Sequence, residues 1–476
     1  MPFSRRTFLK NGALAATGFF IVPRHVLGRG FIPPSDKLNL AAVGAGGKGF
    51  SDIKNAWNNG AHQVTALCDI DWNYAKSALE KFPDAKRYTD FREMFDKEKD
   101  IDAVTISTPD HTHAVIAMAA MQRGKHVYVQ KPLTHNLYET RQLTEAARRY
   151  KVVTQMGNQG ASNPGVQQMI KWYDEGLIGK VHTVYVWTNR PVWPQGIPVP
   201  TEKHPLPEGL DWDSWIGPAA PVGYTPAYHP FKWRGWWNFG TGALGDMGCH
   251  LIDMPFRVLQ LTAPTEVECS VGQVFLKDWV PEWIPEGCPP SSTVQLKFPA
   301  TDKNKMPVTM VWSDGGHRPF HPDLIPADHS LGEDASQNGV LMIGKKGIMT
   351  CGVYGKFAKV YRKNKALLSN PELDKNPDLP EYGHQIHWTE ACKAGFGSAE
   401  HKALTSSFDF SGPLTETVIM GNLAIRSYNL RTARAAGGFD YPGRKKLLWD
   451  GNNLKITNFD DANQFVRSVY REGWTP

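Results

Sequence analysis

Asp246, His250 and Asp253 are spaced four and then three residues apart, behind the flexible run Gly240-Thr241-Gly242-Ala243. If that stretch is a helix, the spacing puts all three on one face. A histidine between two carboxylates can move a proton, because a carboxylate orients the ring and raises its pKa. The same types also suit a capped helix with a buried, hydrogen-bonded histidine, or a metal. No further ligand is in view, so no metal is assigned. Lys131, between Gln130 and Pro132, follows an apolar run of strand length and falls on the same sheet edge as the glycine loop. Gly44-Ala45-Gly46-Gly47-Lys48-Gly49 has the G-x-G-x-x-G spacing that lets backbone approach a phosphate.

These residues need elements to position them. Leu38–Val43, Val64–Cys68, Ala103–Ser107, Val127–Val129 and Val152–Met156 are short apolar runs, each the length of a buried parallel strand. Between them lie helical patterns at Phe50–Trp57, Asn73–Lys81, Ala114–Arg123 and Leu137–Tyr150. The alternation predicts a doubly wound α/β sheet over residues 36–156. The glycine loop follows the first strand and opens a helix whose free N–H groups face a pyrophosphate. Asp69 ends the second strand, where a carboxylate bonds the adenosine ribose hydroxyls and repels a 2′-phosphate. The spacing therefore predicts NAD rather than NADP. Ligands in such sheets sit beyond the carboxyl ends of the strands. Candidate cofactor contacts are Gly44, Gly46, Gly47, Lys48, Gly49, Asp69, Thr108, Pro109, Asp110, His113, Gln130 and Lys131.

The remaining residues, 157–476, read as a second α/β domain. His182–Trp187, Thr293–Phe298 and Met306–Trp312 alternate as half-buried strands. Leu414–Arg431 reads as a long amphipathic helix, and Ser369–Tyr382 as a surface loop. An aromatic cluster runs from Tyr228 to Phe239, and four of the 16 tryptophans lie between Trp215 and Trp237. Indole faces pack on sugar C–H faces while His, Arg and Asn bond hydroxyls, which suits a carbohydrate. The cluster also suits packing at a domain or subunit interface. Tyr228, His229, Arg234, Trp236, Trp193 and Asp253 are the candidate substrate contacts; Trp187 and Arg190 stand nearby in sequence.

The 476 residues carry a net charge of +6. Four of those charges sit in residues 1–28, which hold Arg5, Arg6, Lys10 and Arg24 and no acid. The apolar stretch Ala13–Val22 follows. This pattern fits an export signal of twin-arginine type, a receptor-read address, and predicts a periplasmic or otherwise exported protein. The rest of the chain is close to neutral, so the charge does not point to an anionic partner. No nucleic-acid motif and no spanning segment or stable membrane anchor is expected. None of the six cysteines forms a C-x-x-C pair, and free, mostly buried thiols are expected.

With these motifs in place, the chain resembles the Gfo/Idh/MocA oxidoreductase family from about Asp36 onward. The resemblance rests on Gly44/Gly46/Gly49, Thr108-Pro109 with His113, Lys131-Pro132, Gly176–Val181 and Gly242–Asp253. It implies an N-terminal NAD-binding Rossmann domain and a C-terminal α/β domain with a large, mostly antiparallel sheet. The open face of that sheet would pair with another subunit, as a dimer or tetramer, or cover the active site. It further implies that Lys131, His250 and Asp246 are catalytic, with Lys131 or His250 taking a hydroxyl proton. The expected activity is NAD-dependent oxidation of a sugar or glycoside hydroxyl. A glycoside hydrolase using transient oxidation, and a non-catalytic sugar- or NAD-binding protein, are the rivals. One departure stands out: Gln130 replaces the family's usual glutamate, which removes a carboxylate beside Lys131.

Overall fold

The computed structural model describes residues 36–333, 335–374 and 379–476. The export-type segment, residues 1–28, lies outside the described residues.

Six parallel strands form the first sheet: β1 Asn39–Val43, β2 Gln63–Cys68, β3 Lys86–Tyr88, β4 Ala103–Ile106, β5 His126–Val129 and β6 Thr154–Met156. Their order is β3-β2-β1-β4-β5-β6, so the chain reverses direction across the sheet between β1 and β4. A ligand crevice opens at such a reversal. Helix α1, Lys48–Trp57, springs from the glycine loop. Helix α2, Leu137–Tyr150, begins with a capping box in which Asn136 and Glu139 satisfy each other's backbone N–H groups. The helix expected from Asn73 starts only at Lys76. The Asp71 carboxylate accepts from the N–H groups of Asn73 and Tyr74 at 3.0 and 3.1 Å, a local turn that competes with the helix.

The second sheet has ten strands. They are β7 Val181–Trp187, β8 Glu266–Val271, β11 Ser292–Phe298, β12 Val308–Ser313, β13 Gly339–Gly344, β14 Ile348–Cys351, β15 Lys359–Tyr361, β16 Leu368–Ser369, β19 Leu447–Asp450 and β20 Lys455–Ile456. Two small hairpins, β9–β10 (Phe275–Lys277 and Val280–Pro281) and β17–β18 (Thr432–Ala433 and Phe439–Asp440), stand outside it. The order is β16-β15-β14-β13-β7-β12-β11-β8-β19-β20, and only β7 with β12 pairs in parallel. The expected large, mostly antiparallel sheet is therefore present. Burial alternates along β11 and β12, so one face is core and the other more open.

Helix α3, Gly242–Leu251, and helix α4, Asp253–Val258, lie between β7 and β8 in sequence and are almost wholly buried. Helix α5, His384–Ala394, does not stay with the second sheet. Its Trp388, Ala391 and Cys392 pack with Leu40, Ile53, Leu67 and Tyr128 of the first domain. Gln155 on β6 donates to the His384 carbonyl at 2.8 Å. The chain beyond 157 thus returns to complete the Rossmann core. Helix α6, Phe408–Tyr428, starts six residues earlier than the apolar pattern suggested, with Pro413 inside it. The six cysteines form no disulfide among the described residues, and all but Cys269 are buried.

Candidate active site

The glycine loop closes tightly over the first sheet. Gly44 has φ +76°, and a Cβ there would lie 2.8 Å from the Ser107 carbonyl carbon and oxygen. A Cβ on Gly49 would collide with the Gly44 carbonyl, so helix α1 meets the strand ends only because that side chain is missing. A groove of about 330 Å³ runs along this loop. Gly44, Gly46, Lys48, Asp69, Thr108, Pro109 and Thr112 line it, together with Tyr74 and His229. A bare backbone loop at a helix N-terminus with a carboxylate at the end of β2 fits a dinucleotide.

Asp69 has a second task there. Its Oδ2 accepts from the N–H groups of Ala45 and Gly46 at 2.7 and 3.0 Å, and its Oδ1 from the Asp71 N–H at 3.0 Å. The carboxylate therefore ties the glycine loop to β2 besides bordering the groove. Burial raises its pKa, and these N–H groups oppose that rise. Asp69→Ala should weaken NAD binding by at least tenfold in titration calorimetry, through loss of the ribose acceptor and of the loop's anchor. Unchanged affinity would remove Asp69 from the cofactor site.

A second cavity, about 300 Å³, continues from the first and shares Lys48, Ser107, Thr108 and Arg234 with it. Lys131, Asp246 and His250 all open onto it. Lys131 Nζ donates at 2.8 Å both to Asp246 Oδ1 and to the Asp246 carbonyl. Arg234 Nε and Arg190 Nε stand 3.4 and 3.7 Å from the same carboxylate. Burial alone would raise the Asp246 carboxyl, but Lys131 and Arg234 hold it well below the usual range. The His250 ring stands edge-on to Tyr354, with centroids 5.1 Å apart. Burial, with the charge of Lys131, pushes its pKa well below the usual imidazole value. Both effects favour the neutral form of the ring, the form with a free lone pair. Trp193, Phe231 and Trp233 supply aromatic wall.

Several candidates sit elsewhere. Asp253 is buried and bonded to Arg257 at 2.8 Å and Asn158 at 3.3 Å, away from the cavity. Arg257, one turn on, claims the carboxylate. Tyr228 and Trp236 are buried against each other and line a separate cavity of about 490 Å³. His229 borders the dinucleotide groove and bonds Asp71 at 2.9 Å. His113 is a buried clamp whose ring nitrogens lie 2.8 and 2.9 Å from the Pro132 and Thr108 carbonyls. Asp110, by contrast, lines the Lys131 cavity; it accepts from Thr241 at 2.6 Å and joins β4 to the loop before α3. Trp187 belongs to a different core cluster. Among the described residues, no group of three or more His, Cys, Asp or Glu is placed to hold a metal.

Other functional residues have no local signal. Asp52, fully buried on α1, accepts from Gln130 Nε2 at 2.8 Å, Ser107 Oγ at 2.9 Å and Gln385 Nε2 at 3.0 Å. Lys48 pairs with it at 2.9 Å and with Glu381 at 2.6 Å. A carboxylate from α1 thus meets the side chain at position 130, and Gln130 is the donor that such a neighbour requires. Glu381 comes from the stretch that reads as surface loop. Tyr74 lies over Gly46 and Gly47, and Tyr354 reaches the cavity from a turn where its φ is +63°.

The glycine cradle and the buried lysine–carboxylate–histidine group define a dinucleotide-binding protein of the oxidoreductase type. Residues 38–158 match the description "Oxidoreductase family, NAD-binding Rossmann fold", and 165–283 match that family's "C-terminal alpha/beta domain". The chain belongs to the Gfo/Idh/MocA oxidoreductase family, and the groove over the glycine loop is its NAD site. It is 28% identical over 254 residues to levoglucosan dehydrogenase from Pseudarthrobacter phenanthrenivorans, covering 52% of this chain and 55% of that protein. It is 26% identical over 209 residues to a glycosyl hydrolase family 109 protein from Shewanella pealeana, covering 38% of this chain and 45% of that one. The chain thus spans about half the length of these relatives. A solved levoglucosan dehydrogenase in complex with NADH superposes with a TM-score of 0.54 at 18% identity, covering 82% of this chain and 98% of that one, which shows the shared fold.

Proposed function

We propose that this protein oxidises a sugar or glycoside hydroxyl with NAD. The observation that carries the reading is the convergence of Lys131, Asp246 and His250 on one cavity that continues from the dinucleotide groove. Likeness to a sugar dehydrogenase supports it. NAD, when bound, supplies the acceptor for the hydride lost from the carbinol carbon. Lys131, fixed by Asp246, presents its positive charge to the substrate oxygen and stabilises negative charge developing there. Neutral His250 accepts the hydroxyl proton. Trp193 and Trp233 offer ring faces to the sugar and keep bulk water from the reacting carbon. The basic, acid-free start of the chain supports export, and an exported protein would hold its cofactor tightly. The more open face of the large sheet would suit pairing with a second copy.

A panel of glycosides incubated with protein and NAD tests the reading, with NADH absorbance and released aglycone followed together. Net NADH with a keto-sugar is expected. Aglycone release with no net cofactor change would move the assignment to the redox-assisted hydrolase, which the likeness to a glycosyl hydrolase family 109 protein supports as second reading. The pH profile tests the base. A depressed pKa means that His250 loses its proton-accepting form only in acid, so kcat/KM for oxidation should stay flat from about pH 8 down through 6.5, the ordinary imidazole value. An inflexion at 6.5 that disappears in His250→Asn would show an unperturbed imidazole and sink this account.

A further inference from the structure

We propose that the substrate is an acidic sugar, whose carboxylate is received by Arg190 with Arg234 while its reacting hydroxyl faces Lys131 and His250. The proposal rests on reading this cavity as the sugar site. Four cations line it: Lys48, Lys131, Arg190 and Arg234. Lys48 is matched by Asp52 and Glu381. The other three face two wall carboxylates, Asp246 and Asp110. Asp110 is bonded to Thr241 and forms no ion pair among the described residues. On the cavity wall itself these cations therefore outnumber the carboxylates by one, while Asp52 and Glu381 behind Lys48 bring the eight named groups to four of each sign.

The arginines carry that surplus. Asp246 is already engaged by Lys131 at hydrogen-bond distance, whereas both guanidinium Nε atoms stay beyond it. Arg190 Nη1 donates to Asn189 Oδ1 at 2.7 Å, and Arg234 Nη1 to the Phe231 carbonyl at 3.1 Å. These bonds fix the two planes and leave the other terminal nitrogen of each without a hydrogen-bond partner among the described residues. Arg234 is further fixed by stacking 4.2 Å over Trp233 and 4.8 Å over Phe231. Their side chains are only 24% and 23% exposed, so water compensates the surplus charge poorly. A held, half-buried guanidinium suits a carboxylate in geometry as well as charge. Arg234 also borders the dinucleotide groove and can serve the cofactor's phosphates, but Arg190 lines only the Lys131 cavity. A neutral sugar would leave Arg190 with only its share of Asp246, at 3.7 Å.

The test uses the full chain with NAD and matched methyl glycosides in gluco and galacto series: the uronic acid, its methyl ester and the parent hexose. The ester keeps the shape of the acid and removes its charge. The acid should exceed ester and hexose in kcat/KM by about tenfold or more. Arg190→Met should shrink that ratio about tenfold, and Arg190→Lys should recover only part of it, because an ammonium lacks the fork. A readout apart from turnover is calorimetric binding of the acid, which should weaken as salt rises and weaken again in Arg190→Met. If acid, ester and hexose react and bind alike, the acidic-sugar proposal fails while sugar oxidation stands. If none reacts or binds, both fall.

Discussion

Lys131→Met is expected to lower turnover on the best sugar by about 1,000-fold while NAD affinity stays within severalfold of the parent. The ammonium is held by two 2.8 Å bonds to one residue, Asp246, and both end at the cavity wall. Removing it takes away the charge that faces the substrate oxygen. It should not collapse the site, because Arg234 and Arg190 still face the Asp246 carboxylate at 3.4 and 3.7 Å. The loss should fall on kcat more than on KM, since the charge matters most when the oxygen carries most of its own. Steady-state kinetics beside calorimetric NAD binding would measure both. Turnover within tenfold of the parent would remove Lys131 from the chemistry.

Gln130→Glu should destabilise the protein by about 3 kcal/mol or more, and Asp52→Asn in the same chain should restore most of it. The substitution looks conservative and restores the residue that the family pattern favours. Here it would replace an N–H donor with a carboxylate 2.8 Å from the fully buried carboxylate of Asp52. Two such groups cannot both stay ionised without a large cost. The double variant moves the charge instead of doubling it. The amide introduced at position 52 would donate to the carboxylate introduced at position 130, and its carbonyl would still accept from Gln385 and Lys48. Denaturant unfolding of both single variants and the pair gives the coupling directly. A Gln130→Glu protein as stable as its parent would sink the idea that Asp52 requires a donor at position 130.

Much of the first domain was legible because its signals are local. Apolar runs of strand length, a glycine spacing that only close approach explains, and Asp69 at a strand end all lie within one βαβ unit. Asp246 and His250 were readable as a pair because one turn of a helix relates them. Asp253 was not, since an arginine one turn further along takes its carboxylate. The aromatic cluster was visible as a cluster, but not its facing. Phe231, Trp233 and Arg234 turn to the Lys131 cavity, whereas Tyr228 and Trp236 turn to another. That segment has no regular period from which a face could be counted.

The sequence by itself determined the dinucleotide fold, the placing of Lys131 at a strand end and the helical pairing of Asp246 with His250. Tertiary structure alone decided which polar and charged groups meet: Asp52 with Gln130 and Gln385, Lys48 with Glu381, and Arg190 and Arg234 with Asp246. The physical reason is range. Periodicity and turn chemistry act between residues a few positions apart. The sign of a buried site depends on groups brought together across hundreds of residues, once the two sheets have packed and water has left between them.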